Sequence, residues 1–535
     1  MLKLKEVKIA KYKSYLETQV VLIEDKVTTL VGKNESGKTA FLEAIAKFNY
    51  FEKDSKFQFD VTADYPINEL KKYQRDNEPL EVIKCTFEIS DELLEQISED
   101  LGDGVFKIKS FAYGIKYDGN GTWYDLSANE DAFLKSYIKK NDFSTEVTEE
   151  LKGIKSFQAL ETLTATSKNE DIKKLYQELK KDYIDKAYKW DNVIKGYIAK
   201  NYLESNFPKF WYFDEYFSLP SRVNINRLQS NQTDAELTAE ALKTSKALFE
   251  LAGIDITKLV NASTFETFIA ELEATSNEIT DQIFEYWSTN ENLEIKFEIE
   301  TVKNPQNSNL IEKVLDIRVR NTRHRVCLPL RNRSKGFNWF FSFIVWFSKI
   351  QSDGNKNFIL LLDEPGLNLH ASAQADLLRY IEDLAKEYQV IYTTHSPFMI
   401  DSNHLERVRT VYDSDAGSII SSAIQEKDPD TLFPLQAALG YDIAQNLFIS
   451  KNNLLVEGPA DLLYLSILSS ILESEKREGL KESITIVPIG GMDKVASFIS
   501  LLRGSKLNIV CLLDSFSDQK GKQRIDDLIK IKIIK

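Results

Sequence analysis

At 535 residues the chain is longer than one hydrophobic core organises, so two to four domains are expected. Its 43% hydrophobic and 28% charged residues exclude a disordered chain, and no apolar run reaches the roughly 18–20 residues that span a bilayer, so no membrane segment is expected. A net charge of −14 excludes a uniformly basic nucleic-acid coat, yet leaves room for a local basic groove or for divalent metals bridging carboxylates to phosphates.

The opening MLKLKEVKIAKYKSYLE lacks the apolar core of a secretory signal and reads as a strand that begins the fold. Two β-rich runs follow at 20–23 and 27–31, the second ending at Gly32, and a helix starts near Lys38. Alternation over 80–125 predicts antiparallel strands. From 128 to about 200 the pattern turns helical and rich in Lys and Glu. A strand-like island stands at 207–216, before helices near 233–252 and 264–288. The β signal returns at 293–302 and 314–322. Next come an aromatic helix at 339–350, an apolar strand at 357–365, a helix at 371–388 and a strand at 389–397. Composition shifts again at Asn452, where LLVEGPADLLYLSIL reads strand, turn, helix. SITIVPIGG and NIVCLLDSF then read as further strands joined by a helix, the alternation of a small α/β unit. Cys85, Cys327 and Cys511 lie far apart without CxxC spacing, so neither a disulfide framework nor structural zinc is expected and a reducing cytoplasm is the natural setting.

Three motifs carry phosphate chemistry. Gly32-Lys33-Asn34-Glu35-Ser36-Gly37-Lys38-Thr39 matches GxxxxGK[ST] between a strand and a helix. Gly32, Asn34 and Gly37 belong to a loop whose backbone N–H groups can wrap a phosphate, with Lys38 on the β- and γ-phosphates of ATP and Thr39 on Mg²⁺. The apolar run 358–362 ends in Asp363-Glu364-Pro365, as a buried parallel strand does when its C-terminal tip faces a ligand crevice. Asp363 is expected on Mg²⁺ and Glu364 as the carboxylate that polarises the attacking water. About 30 residues later, Thr393-Thr394-His395-Ser396-Pro397 ends the next strand, where His395 could hydrogen-bond a γ-phosphate. The plainer readings are a glycine turn, a buried strand that stops at two charges, and a structural histidine. Joint occurrence in this order favours the nucleotide site.

The C-terminal unit carries a second acidic set. Glu457-Gly458 ends one apolar strand, and Asp514 ends another some 55 residues later, so in a parallel sheet both tips can converge on a divalent metal. Basic Lys520, Lys522 and Arg524 follow; they could meet phosphates or simply line a solvated helix face.

These motifs carry a resemblance. The phosphate loop, DEP and THSP together resemble the ATP-binding-cassette ATPases, in their soluble chromosome-maintenance and recombination branch. The resemblance implies a signature loop that caps the nucleotide of a second subunit, best matched by Arg333-Ser334-Lys335-Gly336-Phe337, with Ser334 and Gly336 at the γ-phosphate; an ordinary helix N-cap is the alternative. No residue in 80–130 or 205–230 stands out as the glutamine of such a site, though WYFDEY at 211–216 lies at a plausible strand end. The C-terminal pattern is similar to the topoisomerase–primase (TOPRIM) fold. That likeness implies metal ligation by Glu457, Asp461 and Asp514, with Asp518 in doubt, because Phe516 stands where DxD would place its second acid. The chain also runs only about 20 residues past this motif, shorter than such a unit is expected to be.

ATPase followed by TOPRIM is the plan of the overcoming-lysogenization-defect (OLD) nucleases. The resemblance implies an α/β fold: ATPase parts at 1–127 and 293–448, a mainly helical insertion or dimerisation arm at 128–292, and a TOPRIM-like domain at 449–535. It further implies ATP with Mg²⁺, Mn²⁺ as an option at the second site, a homodimer or higher homo-oligomer, and DNA as substrate. The setting it implies is anti-phage defence, Gabija-like or retron-associated, with a reverse transcriptase carrying its DNA or a helicase-like protein as partner. Two functions stay open: a metal-dependent DNA endonuclease gated by ATP, and an ATP-driven sensor or scaffold whose degenerate TOPRIM domain binds without cutting.

Overall fold

Strand β1 (Leu2–Ile9) alternates buried and exposed positions, as does β2 (Gln19–Leu22), whereas β3 (Val27–Val31) is buried at every position. That contrast separates two sheets, since a one-faced strand suits an antiparallel layer and a wholly buried one a covered parallel sheet. The structure, a computed structural model, describes residues 1–422, 452–488 and 508–512, apart from residues 77, 142, 186, 187, 189, 215, 216, 263, 287–292, 304–310, 333, 334, 353–356, 368, 402, 403 and 482. The chain forms two units, Met1–Pro434 and Leu435–Lys535.

In the first unit β1 and β2 join β4 (Glu81–Ile89), β5 (Ser110–Lys116) and β6 (Gly121–Tyr124) in an antiparallel sheet of order β2-β1-β4-β5-β6. β3 enters a second sheet whose edge is β7 (Lys209–Phe213). Between them in sequence and the rest of that sheet, β8 (Arg222–Asn224), β9 (Leu293–Lys303), β10 (Ile311–Asn321) and β11 (Val326–Pro329) form a separate antiparallel layer. The second sheet is completed by β12 (Phe358–Leu362), β13 (Gln389–Thr394), β14 (Val408–Ser414) and β15 (Gly417–Ser422), in the order β15-β14-β3-β13-β12-β7. All its pairings are parallel except β14 with β15. The tips of β3, β12, β13 and β7 therefore open on one side, where parallel sheets present ligands.

Strand pleating divides the core in two. Phe210, Tyr212, Ile359 and Leu361 face one cluster, shared with the phosphate-loop helix (Lys38–Phe48) and the five-stranded sheet. Trp211, Phe213, Leu360 and Leu362 face another, shared with helices Ala239–Leu251, Lys335–Ser352 and Ala371–Leu384. On helix Lys335–Ser352 the aromatics Trp339, Phe343 and Phe347 recur every four residues and stack at 2° and 4° to one another, with Phe343 5.7 Å from Trp211.

The stretch 128–292 is not one insertion. Helices from Glu130 onward pack into the first cluster; the chain then returns as β7 into the central sheet before the helices of the second cluster begin. Of the island at 207–216, Lys209–Phe213 joins the sheet, with Trp211 and Phe213 facing one core cluster and Phe210 and Tyr212 the other. The aromatic helix also starts earlier than its apolar run suggests, at Lys335.

In the second unit β16 (Asn452–Val456), β17 (Ile484–Pro488) and β18 (Asn508–Leu512) form a parallel sheet of order β17-β16-β18, with helix Pro459–Ser474 joining the first two. The boundary expected at 448–449 lies outside the described residues.

Trp211, on β7, is fully buried against the aromatic helix. Trp211→Ala should lower stability by about 3–5 kcal/mol, the cost of a large aromatic cavity, read as an earlier urea midpoint in tryptophan-independent circular dichroism.

Candidate nucleotide site and acidic strand ends

The loop after β3 is shaped by two glycines acting differently. A Cβ on Gly32 would lie 2.0 Å from the Val411 carbonyl oxygen of β14, so only glycine allows that approach. Gly37 has φ +106°, and a Cβ there would lie 2.4 Å from Ser418 Oγ. The Tyr15 hydroxyl donates to the Gly37 carbonyl at 2.9 Å and fixes the turn from below. Helix Lys38–Phe48 begins with no side-chain cap and no acid in its first turn, so its N-terminal N–H groups and positive dipole end stay available to an anion. Ser36 Oγ is buried in this loop without a hydrogen-bond partner.

Lys38 is only 5% exposed; its Nζ donates to the carbonyls of Gly32 at 2.8 Å and Lys33 at 2.7 Å and lies 3.1 Å from Glu364 Oε1. Its neighbour Thr39 donates to Asp363, at 2.8 Å from Oδ2 and 3.1 Å from Oδ1. Asp363 also accepts from Thr393 Oγ1 at 2.7 Å and from the Tyr212 hydroxyl at 3.0 Å. Burial first, and the Asp363 charge next, push the Tyr212 phenol far above its ordinary range, so it remains a donor.

Glu364 sits in the left-handed region at φ +46°, a conformation that costs a non-glycine residue about 1–2 kcal/mol. Three contacts hold it there. Its N–H donates to Thr393 Oγ1 at 2.7 Å, Oε1 faces Lys38, and Oε2 lies 2.9 Å from His395 Nδ1. The loops after β12 and β13 are further tied through Gln374, which donates to the Gly366 carbonyl at 2.9 Å and accepts from Ser396 Oγ at 2.6 Å.

Lys38, Thr39, Asp363, Glu364 and His395 thus meet at one end of the sheet, beside the loop holding Gly32, Asn34 and Gly37. An unsatisfied Ser36 hydroxyl, an uncapped helix start, a buried lysine resting on loop carbonyls and a hydroxyl–carboxylate pair fit a triphosphate with a divalent cation. Sequence reasoning gave no role to Tyr212 or to Thr393, although both stand inside segments it singled out, WYFDEY and TTHSP. Of the expected signature pair, Gly336 is buried in the first turn of helix Lys335–Ser352, and Ser334 lies outside the described residues.

In the second unit, Glu457 follows β16, whose last residue Val456 is the register partner of Leu512 on β18. Asp461 Oδ2 accepts from the Gly458 N–H at 2.8 Å, so its side chain reaches back to the start of helix Pro459–Ser474. Asp514 and Asp518, with Phe516, lie outside the described residues. Among the described residues the acidic group compact enough to share an ion is elsewhere: Glu298, Glu300 and Asp316 on β9 and β10. These carboxylates lie against guanidinium groups, with Asp316 2.9 Å and Glu298 3.8 Å from Arg318 and Glu300 3.5 Å from Arg222, so they read as a cross-strand charge ladder. No helix among the described residues is long and apolar enough to cross a membrane.

Fold and site define a P-loop ATPase core followed by a small α/β unit. Residues 2–400 match the family described as AAA ATPase domain, and the chain belongs to it. Residues 448–515 match the family described as overcoming lysogenization defect protein-like, TOPRIM domain, which makes the chain an ATPase–TOPRIM protein of the OLD family. The "Retron Vc95 probable ATPase" of Vibrio cholerae is 19% identical over 77% of this chain and 74% of its own length. The "OLD nuclease" of Thermus scotoductus is 28% identical over 31% of this chain and 33% of its own, and an uncharacterized protein of Methanocaldococcus jannaschii is 34% identical over 22% and 32%. The chain therefore spans about a third of the length of these last two relatives. A solved Smc head bound to the C-winged helix domain of ScpA aligns over 78% of this chain and 97% of its own at 14% identity and TM-score 0.35, too loose a likeness for anything to rest on it.

Gly32→Ala forces a methyl group into the Val411 carbonyl. It should weaken binding of a fluorescent ATP analogue by about tenfold or more, equivalent to at least ~1.4 kcal/mol, as read by anisotropy titration.

Proposed function

We propose that the protein is an ATP-gated, divalent-metal-dependent DNA endonuclease. The observation that carries the gating half is the meeting of Thr39 with Asp363, and of Lys38 and His395 with Glu364, around one phosphate loop. In this reading the loop N–H groups and Lys38 hold the phosphates of ATP. Glu364 takes the proton of the attacking water, and His395 bonds the γ-phosphate. Thr39 and Asp363 would hold Mg²⁺, which would supply charge neutralisation to the phosphates. Ser334 and Gly336 of a second copy close the site, so the working species is a homodimer or larger.

The nuclease half is supported by the parallel tips of β16 and β18. Glu457 leaves one of them, and Asp514 follows Leu512 by two residues in sequence. Glu457, Asp461, Asp514 and Asp518 are the carboxylates that would hold Mg²⁺ or Mn²⁺ for phosphodiester hydrolysis. The relatives' printed names, a nuclease and a retron ATPase, support DNA as substrate and a setting in anti-phage defence, with a reverse transcriptase and its DNA, or a helicase-like protein, as partner. Phe516 favours one second reading: an ATP-driven sensor whose TOPRIM domain binds DNA without cutting it.

Plasmid nicking with Mg²⁺ or Mn²⁺ decides between them. Glu457→Ala should abolish nicking and keep ATP turnover. Glu364→Gln should cut turnover by about 10²–10⁴-fold, the usual contribution of a general base. Equal nicking by wild type and Glu457→Ala removes the nuclease reading, and turnover with no nicking at all selects the sensor.

A further inference from the structure

The strand flanking β12 on each side contributes one hydroxyl to the same carboxylate. Tyr212, the penultimate residue of β7, donates to Asp363 Oδ2 at 3.0 Å, and Thr393 of β13 donates to Oδ1 at 2.7 Å. Thr39 approaches from the third side and reaches both oxygens. All three donors are neutral. A lysine or arginine in their place would orient the carboxylate equally well but would cancel the charge that a cation needs. The buried lysine of the site instead faces Glu364, at 3.1 Å. Because Thr39 donates its proton to Asp363, its oxygen keeps lone pairs free for a cation.

Thr393 does more. Its oxygen accepts the Glu364 N–H at 2.7 Å while its proton goes to Asp363, so one side chain sets both the carboxylate and the strained backbone of the next residue. Tyr212 is 2% exposed, and its ring packs 5.6 Å from Phe57, so its hydroxyl is held in place.

We infer that Tyr212 and Thr393 are positioning residues for the metal-binding carboxylate: Tyr212 tunes metal affinity alone, and Thr393 links metal affinity to the placement of Glu364. This rests on the nucleotide reading above, and the test separates the two. Affinity for a non-hydrolysable ATP analogue is measured by titration calorimetry in Mg²⁺ and in EDTA. Wild type should bind in both and more tightly with Mg²⁺; absence of any binding by wild type overturns the nucleotide reading itself. Tyr212→Phe should leave the EDTA affinity within about twofold and reduce the Mg²⁺-dependent gain about tenfold, the lower end for partners that orient metal ligands. Its turnover should recover at saturating Mg²⁺. Thr393→Val should lose the same gain without recovering turnover, and Thr393→Ser should restore both. Equal losses in Mg²⁺ and EDTA, or an unchanged gain, overturn the inference. Should Tyr212→Phe not fold, the Thr393 valine–serine pair decides the matter on the same readouts.

Discussion

A hydrogen bond between residues 324 positions apart, Thr39 to Asp363, is what the ATPase half depends on. It joins the first turn of the phosphate-loop helix to the tip of β12, two strands away from β3 in the sheet. The bond is short only if β13 lies between β3 and β12 in one register, with Thr394 opposite Val31 and Leu362 opposite Tyr392. Sheet order, crossover helices and the two core clusters are the means by which that register is held. The geometry is bought largely with apolar burial, since β3 and β12 have no solvent-facing residue.

Charge is distributed in the site by function of place. Lys38 and Glu364 form a mostly buried opposite pair, with His395 on the second carboxylate oxygen, while Asp363 is held by hydroxyls. Two adjacent carboxylates therefore meet different surroundings, one faced by a cation and one by neutral hydroxyls. That difference suits the division of labour proposed for them, since a proton acceptor and a metal ligand need different partners.

Much of this was legible in the sequence, for physical reasons. A wholly apolar five-residue strand ending in two carboxylates has few other ways to fold, and GxxxxGKT between a strand and a helix constrains its own backbone. The place of β7 was harder to assign. PheTrpTyrPhe reads as a strand, but long helical stretches on either side put it inside what looked like an insertion. Its membership of the central sheet is set by pairing with β12, a long-range fact that no local pattern carries. For the same reason Tyr212 could not be assigned, because its partner lies 151 residues away. Asp461 shows the converse limit: an acid three residues after a glycine at a helix start has a local use as a cap, which spacing alone does not separate from ligation.

The strand order also bears on how the molecule is made. β3 lies at residues 27–31, but its two neighbours in the sheet, β13 and β14, are encoded near residues 389–414. At roughly 5–20 residues per second of synthesis, a strand buried on both faces in the finished fold waits on the order of 20–70 seconds for its first partner. During that interval the backbone donors and acceptors along both edges of β3 have not yet met the strands they pair with in the finished sheet.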